Sequence, residues 1–266
     1  MTEQGSRSTS LGPRVIETIA AQLWEAETTG GAVEFPSVRH PDLTWNDARA
    51  IARTVDQLRL TGGHARIGYK LGWTSEVMRR SLGIDQPNWG TLWDHQRSTD
   101  AVTIGHLRHP KVEPELVYLC GRELAGPDVD TDTVLVAADG WALGHEIVHP
   151  RYRDFGFTWL DNTADNSSSQ AVVLGEFRSL SGDPGDVAIR FGDGTESRTG
   201  KGDAAMGSPA RAVAWLVRAL EAEGSGLAAG DLVFTGGLAP PFDVIAGRQY
   251  DLEADVLQSV SFTAIG

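Results

Sequence analysis

Glu113 and Glu115 stand two positions apart in the run Val112-Glu113-Pro114-Glu115-Leu116-Val117-Tyr118-Leu119. On a strand, that spacing puts both carboxylates on one face, ahead of Val117 and Leu119, roughly 6.6 Å apart. At an effective dielectric of about 20, two ionised groups at that separation repel by about 2.5 kcal/mol. Burial adds desolvation to the cost. A proton, a basic side chain or a hard divalent cation would compensate. The alternative is an edge strand with solvated glutamates, which Pro114 suits. Glu146, in Leu143-Gly144-His145-Glu146-Ile147-Val148, is a third acid isolated among apolar neighbours, and glutamate is rarely buried unpaired. Three carboxylates with open water positions would suit Mg²⁺ or Mn²⁺.

The segment His145-Glu146-Ile147-Val148-His149 also matches H-E-x-x-H, the zinc-peptidase pattern. That chemistry needs a helix, yet Gly144 precedes the first histidine and Pro150 follows the second, where helical geometry is disfavoured. On a strand the glutamate would point away from both histidines. Lys70, in Gly68-Tyr69-Lys70-Leu71-Gly72, is a lone cation in an apolar, glycine-flanked run. It either snorkels to water or serves as a functional cation near the acids. The polar run Asp161-Asn162-Thr163-Ala164-Asp165-Asn166-Ser167-Ser168-Ser169 reads as a loop whose hydroxyls and amides could orient a polar ligand or a water. Gly200-Lys201-Gly202 is no phosphate-binding loop, because Thr195 stands where the first glycine belongs and Gly202 replaces Ser or Thr.

The elements that must position these residues fall into two stretches. Pro13 opens a helix with Ile16, Ile19 and Leu23 on one face and Gly30-Gly31 beyond its end. Thr44 and Asp47 have capping-box spacing ahead of a second helix, striped by Ala48, Ile51, Val55 and Leu58 and stopped by Gly62-Gly63. From His64 onward short β-branched runs take over, predicting strands at 66–71, 112–120, 141–148, 171–174, 187–191, 232–235, 244–246, 250–256 and 260–264. Gly192-Asp193-Gly194 looks like a hairpin turn. Helices are expected at 131–138 and after Ser208, where Pro209 takes the first turn, Val213, Leu216, Val217 and Leu220 face inward, and Gly224 ends it. Without regular βαβ alternation, a doubly wound sheet is not expected. The reading is α+β: a disordered tail at 1–11, a helical cap at 12–63 and a large β-roll core at 64–266.

With 266 residues, 41% of them hydrophobic and 22% charged, the chain is long enough to bury a core and too apolar for wholesale disorder. Its formal net charge of −13 and the lack of a basic cluster argue against nucleic-acid binding. Cys120, the single cysteine, excludes an internal disulfide and any cysteine-based structural zinc site. No apolar run approaches the roughly 18–20 residues of a membrane span, and Met1 to Ser10 lacks the apolar stretch of a secretory signal. A soluble, cytoplasmic protein is expected.

Taken together, five segments resemble one family. They are Gly68-Tyr69-Lys70-Leu71-Gly72-Trp73-Thr74-Ser75, Gly83-Ile84-Asp85-Gln86-Pro87-Asn88-Trp89-Gly90, His109-Pro110-Lys111-Val112-Glu113-Pro114-Glu115, Ala164-Asp165-Asn166-Ser167-Ser168, and Thr235-Gly236-Gly237-Leu238 with Pro240. Their order resembles that of the 2-keto-4-pentenoate hydratase / 4-oxalocrotonate decarboxylase family, within the fumarylacetoacetate hydrolase superfamily. The resemblance implies Mg²⁺ or Mn²⁺ held by Glu113, Glu115 and Glu146. It places the family's active-site lysine on Lys70, its acid on Asp85 and its serine on Ser168, with Lys70, Ser168, Leu71 and Asp165 as expected substrate contacts. It further implies a mixed β-roll, a homo-oligomer and a possible complex with a partner enzyme of the same pathway.

The expected activity is a metal-dependent lyase on a 2-oxo or 2-hydroxydienoate acid. The hydratase branch adds water to give a 4-hydroxy-2-oxo acid, and the Gly-Ile-Asp-Gln-Pro run favours it. The decarboxylase branch expels carbon dioxide from a 4-oxalocrotonate-like diacid, and Arg151-Tyr152-Arg153-Asp154-Phe155 and Asp165-Asn166-Ser167-Ser168-Ser169 read nearer to it. A non-catalytic acid-binding member would have lost a ligand or the lysine, and neither is missing. Trp73, His149-Pro150 and Phe155-Gly156-Phe157-Thr158-Trp159 depart from the family pattern and bear on the substrate rather than the metal.

Overall fold

Pro13 and Gly30 bracket the first element as the sequence requires, one at its first turn and the other in the left-handed conformation at its end. A computed structural model describes residues 9–266. In chain order its elements are α1 (Pro13–Thr29), α2 (Pro36–Arg39), α3 (Trp45–Thr61), β1 (Arg66–Gly72), α4 (Glu76–Leu82), β2 (Asn88–Trp93), β3 (Arg97–Ser98), β4 (Ala101–Thr103), β5 (Lys111–Cys120) and α5 (Thr131–Val136). There follow β6 (Ala138–Val148), α6 (Trp159–Ala164), β7 (Ser169–Leu174), β8 (Ala188–Gly192), β9 (Ser197–Lys201), α7 (Pro209–Ala222), β10 (Leu232–Phe234), β11 (Phe242–Asp243), β12 (Gln249–Ala254) and β13 (Val260–Ile265). They form two compact units. One gathers the described residues up to His64 with Pro150–Ser168, and the other holds Ala65–His149 with Ser169–Gly266.

In the helical unit, α1 buries Ile16, Ile19 and Leu23 against Ala48, Ile51 and Val55 of α3. The capping box of α3 is formed: Asp47 N–H donates to Thr44 Oγ1 at 3.2 Å, and Thr44 N–H donates to Asp47 Oδ2 at 2.9 Å. Leu58, expected on the buried stripe, is only half-buried. Arg59 is buried instead, its guanidinium paired with Glu27 and with Asp56. Residues 1–8 of the expected tail lie outside the described residues. Leu11 N–H donates to Asp47 Oδ1 at 2.9 Å, which ties the rest of that tail to α3.

The helical region is larger than residues 12–63, because 150–168 joins it. Tyr152 and Ala164 are buried in the same core, Phe157 and Leu160 pack against it, and Val33 bridges to Tyr152. The partners of this segment lie more than a hundred residues earlier, so no local pattern announces it.

The β unit contains two mixed sheets. The larger has the order β2-β1-β10-β5-β6-β7-β3, with β11 also on β5; the smaller has the order β4-β13-β12-β8-β9. Most pairs are antiparallel, while β1–β10, β3–β7 and β4–β13 are parallel. This is the α+β roll expected, not a doubly wound sheet. Most expected strands form within a few residues of their predicted limits. The exception is 244–246, which is irregular: the pairing there is made by Phe242 with Val112 and Asp243 with Lys111. The helix expected at 131–138 stops at Val136, and Ala138 already belongs to β6. Among the described residues, no helix is long and apolar enough to cross a membrane.

Candidate active site

β5 and β6 pair antiparallel along their length, with Glu113 opposite Glu146 and Glu115 opposite Gly144. Strand alternation therefore puts the three acids on one face. Their carboxylate oxygens come within 4.8 Å of one another. Glu115 and Glu146 are fully buried and Glu113 is half-buried, so the solvated edge-strand alternative does not hold. Gly144 has no room for a side chain, since a Cβ would lie 2.6 Å from Val117 Cγ2 and 2.8 Å from Phe234 Cε1. Lys70 on β1 brings its ammonium 3.1 Å from Glu146 Oε2. At 2% exposure this lysine does not snorkel.

Burial is the largest influence on all three acids and pushes each above the usual carboxylate range, Glu146 to about 7. The charges of Glu146 and Glu113 raise Glu115 further, against the pull of Lys70 and of the Gly236 N–H. One ammonium cannot neutralise three carboxylates. Glu115 Oε1 and Glu146 Oε1 are buried and accept no hydrogen bond among the described residues. Buried acceptors ordinarily have a partner. An all-oxygen set with two unfilled acceptors fits a hard divalent cation of the Mg²⁺ or Mn²⁺ kind.

The loop after β10 supports this cluster. Gly236 N–H donates to Glu115 Oε2 at 2.7 Å, Thr235 Oγ1 donates to Leu116 O at 2.8 Å, and Leu238 N–H donates to Pro114 O at 2.9 Å. Gly236 has φ +107°, and a Cβ there would lie 2.0 Å from Thr74 Oγ1. Sequence reasoning assigned this loop no role. Its signal was Thr-Gly-Gly directly after an apolar strand, where glycine marks a close approach. Thr74 follows Trp73, whose φ of +58° is unusual for an aromatic residue. Arg79 donates to the carbonyls of both, at 2.6 Å and 2.9 Å.

The histidines of the H-E-x-x-H run are spent elsewhere. His145 lies on β6 and turns to the other face, between Phe191 and Phe262, with Nε2 3.2 Å from Val260 O. Burial pushes it down to about 4, so it is neutral. His149 Nε2 accepts from Arg108 N–H at 3.2 Å.

Ser168 and Asp165 lie in the helical unit. A capping box starts α6, with Asp161 N–H on Thr158 Oγ1 at 3.2 Å and Thr158 N–H on Asp161 Oδ2 at 2.9 Å. Beyond α6, Asn166, Ser167 and Ser168 have φ of +51°, +53° and +57°. A left-handed turn of non-glycine residues costs about 1–2 kcal/mol per residue, so something must hold it. Arg151 does so: Nε donates to Asp165 Oδ1 at 2.5 Å, N–H to Oδ2 at 3.1 Å, and Nη2 to Asp165 O at 2.5 Å. Asp165 was expected to touch substrate. Both its carboxylate oxygens are engaged by Arg151, which makes it an anchor of the turn. Burial, the largest influence, pushes its carboxyl up to about 6 against the pull of Arg151. Ser168 is buried, and its Oγ accepts from Asn162 Nδ2 at 2.9 Å.

Two further residues belong to the expected site. Leu71 is 1% exposed and its side chain belongs to the core. Asp85 lies exposed in the loop between α4 and β2, and no hydrogen bond or ion pair joins it to the carboxylate cluster among the described residues. The shared face of Glu113 and Glu115 could be read from β-periodicity; that Lys70 lies against Glu146 could not. Nor could the exposure of a loop acid.

No family model matches the chain. The chain is 34% identical over 258 residues to a 2-keto-4-pentenoate hydratase of Paraburkholderia xenovorans, covering 94% of this chain and 95% of that protein. A 4-oxalocrotonate decarboxylase of a Pseudomonas species is 32% identical over 255 residues, covering 94% and 98%. Among solved structures, a 4-oxalocrotonate decarboxylase from Pseudomonas putida G7, complexed with magnesium and adipate, superposes with a TM-score of 0.93 at 27% identity, covering 97% of this chain and all of that one. With such identity along nearly its whole length, the chain belongs to the 2-keto-4-pentenoate hydratase / 4-oxalocrotonate decarboxylase family.

Proposed function

We propose that this protein is a metal-dependent lyase that hydrates a 2-hydroxyalka-2,4-dienoate to a 4-hydroxy-2-oxo acid. The observation that carries the reading is the cluster of half-buried Glu113 with buried Glu115 and Glu146, with Lys70 against it. These three glutamates would hold Mg²⁺ or Mn²⁺, which the G7 decarboxylase structure, with its magnesium, supports for this chain. The cation would supply Lewis-acid polarisation of the substrate's carboxylate and adjacent oxygen.

Lys70 places a second positive charge in the same water-poor site, where charge developing on the reacting acid is stabilised most. Ser168 would donate a hydrogen bond to the reacting acid. Asp85 would move a proton or orient the attacking water. Hydration and loss of carbon dioxide both draw on the same negative charge in the 2-oxo acid portion. The decarboxylase reading is favoured by the 0.93 superposition on a decarboxylase; hydration is favoured by the greater identity to a hydratase and by Gly83-Ile84-Asp85-Gln86-Pro87. Assembly as a homo-oligomer belongs to the same proposal.

The test is product analysis with 2-hydroxypenta-2,4-dienoate and with 2-oxohex-3-enedioate, each with Mg²⁺ and with chelator. Metal-dependent formation of the 4-hydroxy-2-oxo acid is expected. Carbon dioxide from the diacid without hydration of the dienoate would move the protein to the decarboxylase branch. Turnover of neither acid would refute the lyase reading.

A further inference from the structure

Between α6 and the turn that follows it, one hydrogen bond matters for its direction. Asn162 Nδ2 donates to Ser168 Oγ at 2.9 Å, and both residues are buried. A hydroxyl has one proton to give and two lone pairs to receive. With an amide N–H on one lone pair, the Ser168 proton is directed away from Asn162, and no acceptor for it occurs among the described residues. Both partners are fixed. Asn162 is held on α6 by the Thr158–Asp161 box, and its N–H donates to Thr158 O at 3.0 Å. Ser168 closes the left-handed turn with its N–H on Asp165 O at 2.9 Å, and Arg151 anchors Asp165.

We infer that Asn162 is a positioning residue that fixes Ser168 as a hydrogen-bond donor toward an oxygen of the reacting acid, and not as an acceptor or base. The inference rests on the proposed role of Ser168 and adds to it the direction of the bond and the residue that sets it. A donor suits an oxygen that gains negative charge during reaction. A carboxylate at position 162 would accept the Ser168 proton and reverse the bond. An apolar side chain would leave the hydroxyl free to rotate.

The experiment compares Ser168→Ala, Asn162→Asp, Asn162→Leu and the Asn162→Asp/Ser168→Ala double variant. It uses full-length protein with Mg²⁺ and whichever of the two acids the parent turns over, and melting temperatures are recorded throughout. Ser168→Ala is expected to lower kcat about a hundredfold, as loss of one oxyanion donor does, with KM within about threefold. Asn162→Asp should fall nearly as far, and Asn162→Leu by about tenfold. In the Ser168→Ala background, Asn162→Asp should cost less than about twofold more, because the hydroxyl it misdirects is gone. An equal loss from Asn162→Asp in both backgrounds, or parent-like kcat in both Asn162 variants, overturns the inference. Should Asn162→Asp fail to fold, Asn162→Leu is carried through the same cycle. Parent-like kcat in Ser168→Ala overturns instead the role of Ser168.

Discussion

Replacing Glu115 by Gln should stabilise the metal-free protein and weaken the metal-loaded one. The three carboxylates lie within 4.8 Å of one another, and at an effective dielectric of about 20 two charges at that separation repel by about 3.5 kcal/mol. Glu115→Gln removes two such repulsions. It keeps an acceptor oxygen for the Gly236 N–H, so the loop after β10 is not released. Protons already relieve part of the repulsion, because burial raises all three acids. At neutral pH the net gain should therefore be a fraction of that sum, about 1–3 kcal/mol. Each kcal/mol is worth about 2–4 °C in a chain of this size. With metal the order inverts. A cation at a thousandfold its Kd stabilises the parent by about 4.1 kcal/mol, more than that gain, whereas the variant offers one charged ligand fewer. Differential scanning fluorimetry in chelator and in Mg²⁺ or Mn²⁺ measures both. A lower melting temperature for Glu115→Gln in chelator, or a parent indifferent to metal, would refute the assignment of this cluster.

Lys70→Met should keep the fold and metal binding while losing a cation worth about 2.7–4 kcal/mol to the transition state, roughly a hundred- to thousandfold in kcat; turnover within about threefold of the parent, at unchanged melting temperature, would make Lys70 structural. Because burial raises Glu146 from 4.5 to about 7, the metal-free folded protein retains a proton that the unfolded chain releases. Its stability in chelator should fall as pH rises through that window, and metal affinity should rise with it; equal affinities by calorimetry at the two ends of the window would contradict this. Arg151→Met leaves the buried Asp165 carboxylate and the left-handed turn without their partner, so a loss of about 3–5 kcal/mol is expected in denaturant unfolding. A loss below about 1 kcal/mol would show that the turn holds itself. A single protomer mass by light scattering would refute assembly as a homo-oligomer.

The metal-ligand pattern was legible in sequence because a strand has a period of two. Glu113 and Glu115 had to share a face once their run was a strand, and Pro150 kept the H-E-x-x-H run from being a helix. The helices of residues 12–63 were legible for the same local reason, their caps and apolar stripes lying within a few residues of each other. Three things depended on contacts between distant parts of the chain. The register that sets Glu146 opposite Glu113 is a property of two strands and of neither alone. The Gly236 N–H reaches Glu115 from a loop 121 residues away. Residues 150–168 join the helical unit because apolar and aromatic side chains there find α1 and α3, and the buried Arg151 meets Asp165 at the start of the left-handed turn that ends at Ser168. Local spacing dictates which face a side chain occupies; burial, and the partner that burial demands, is decided only when the chain folds back on itself.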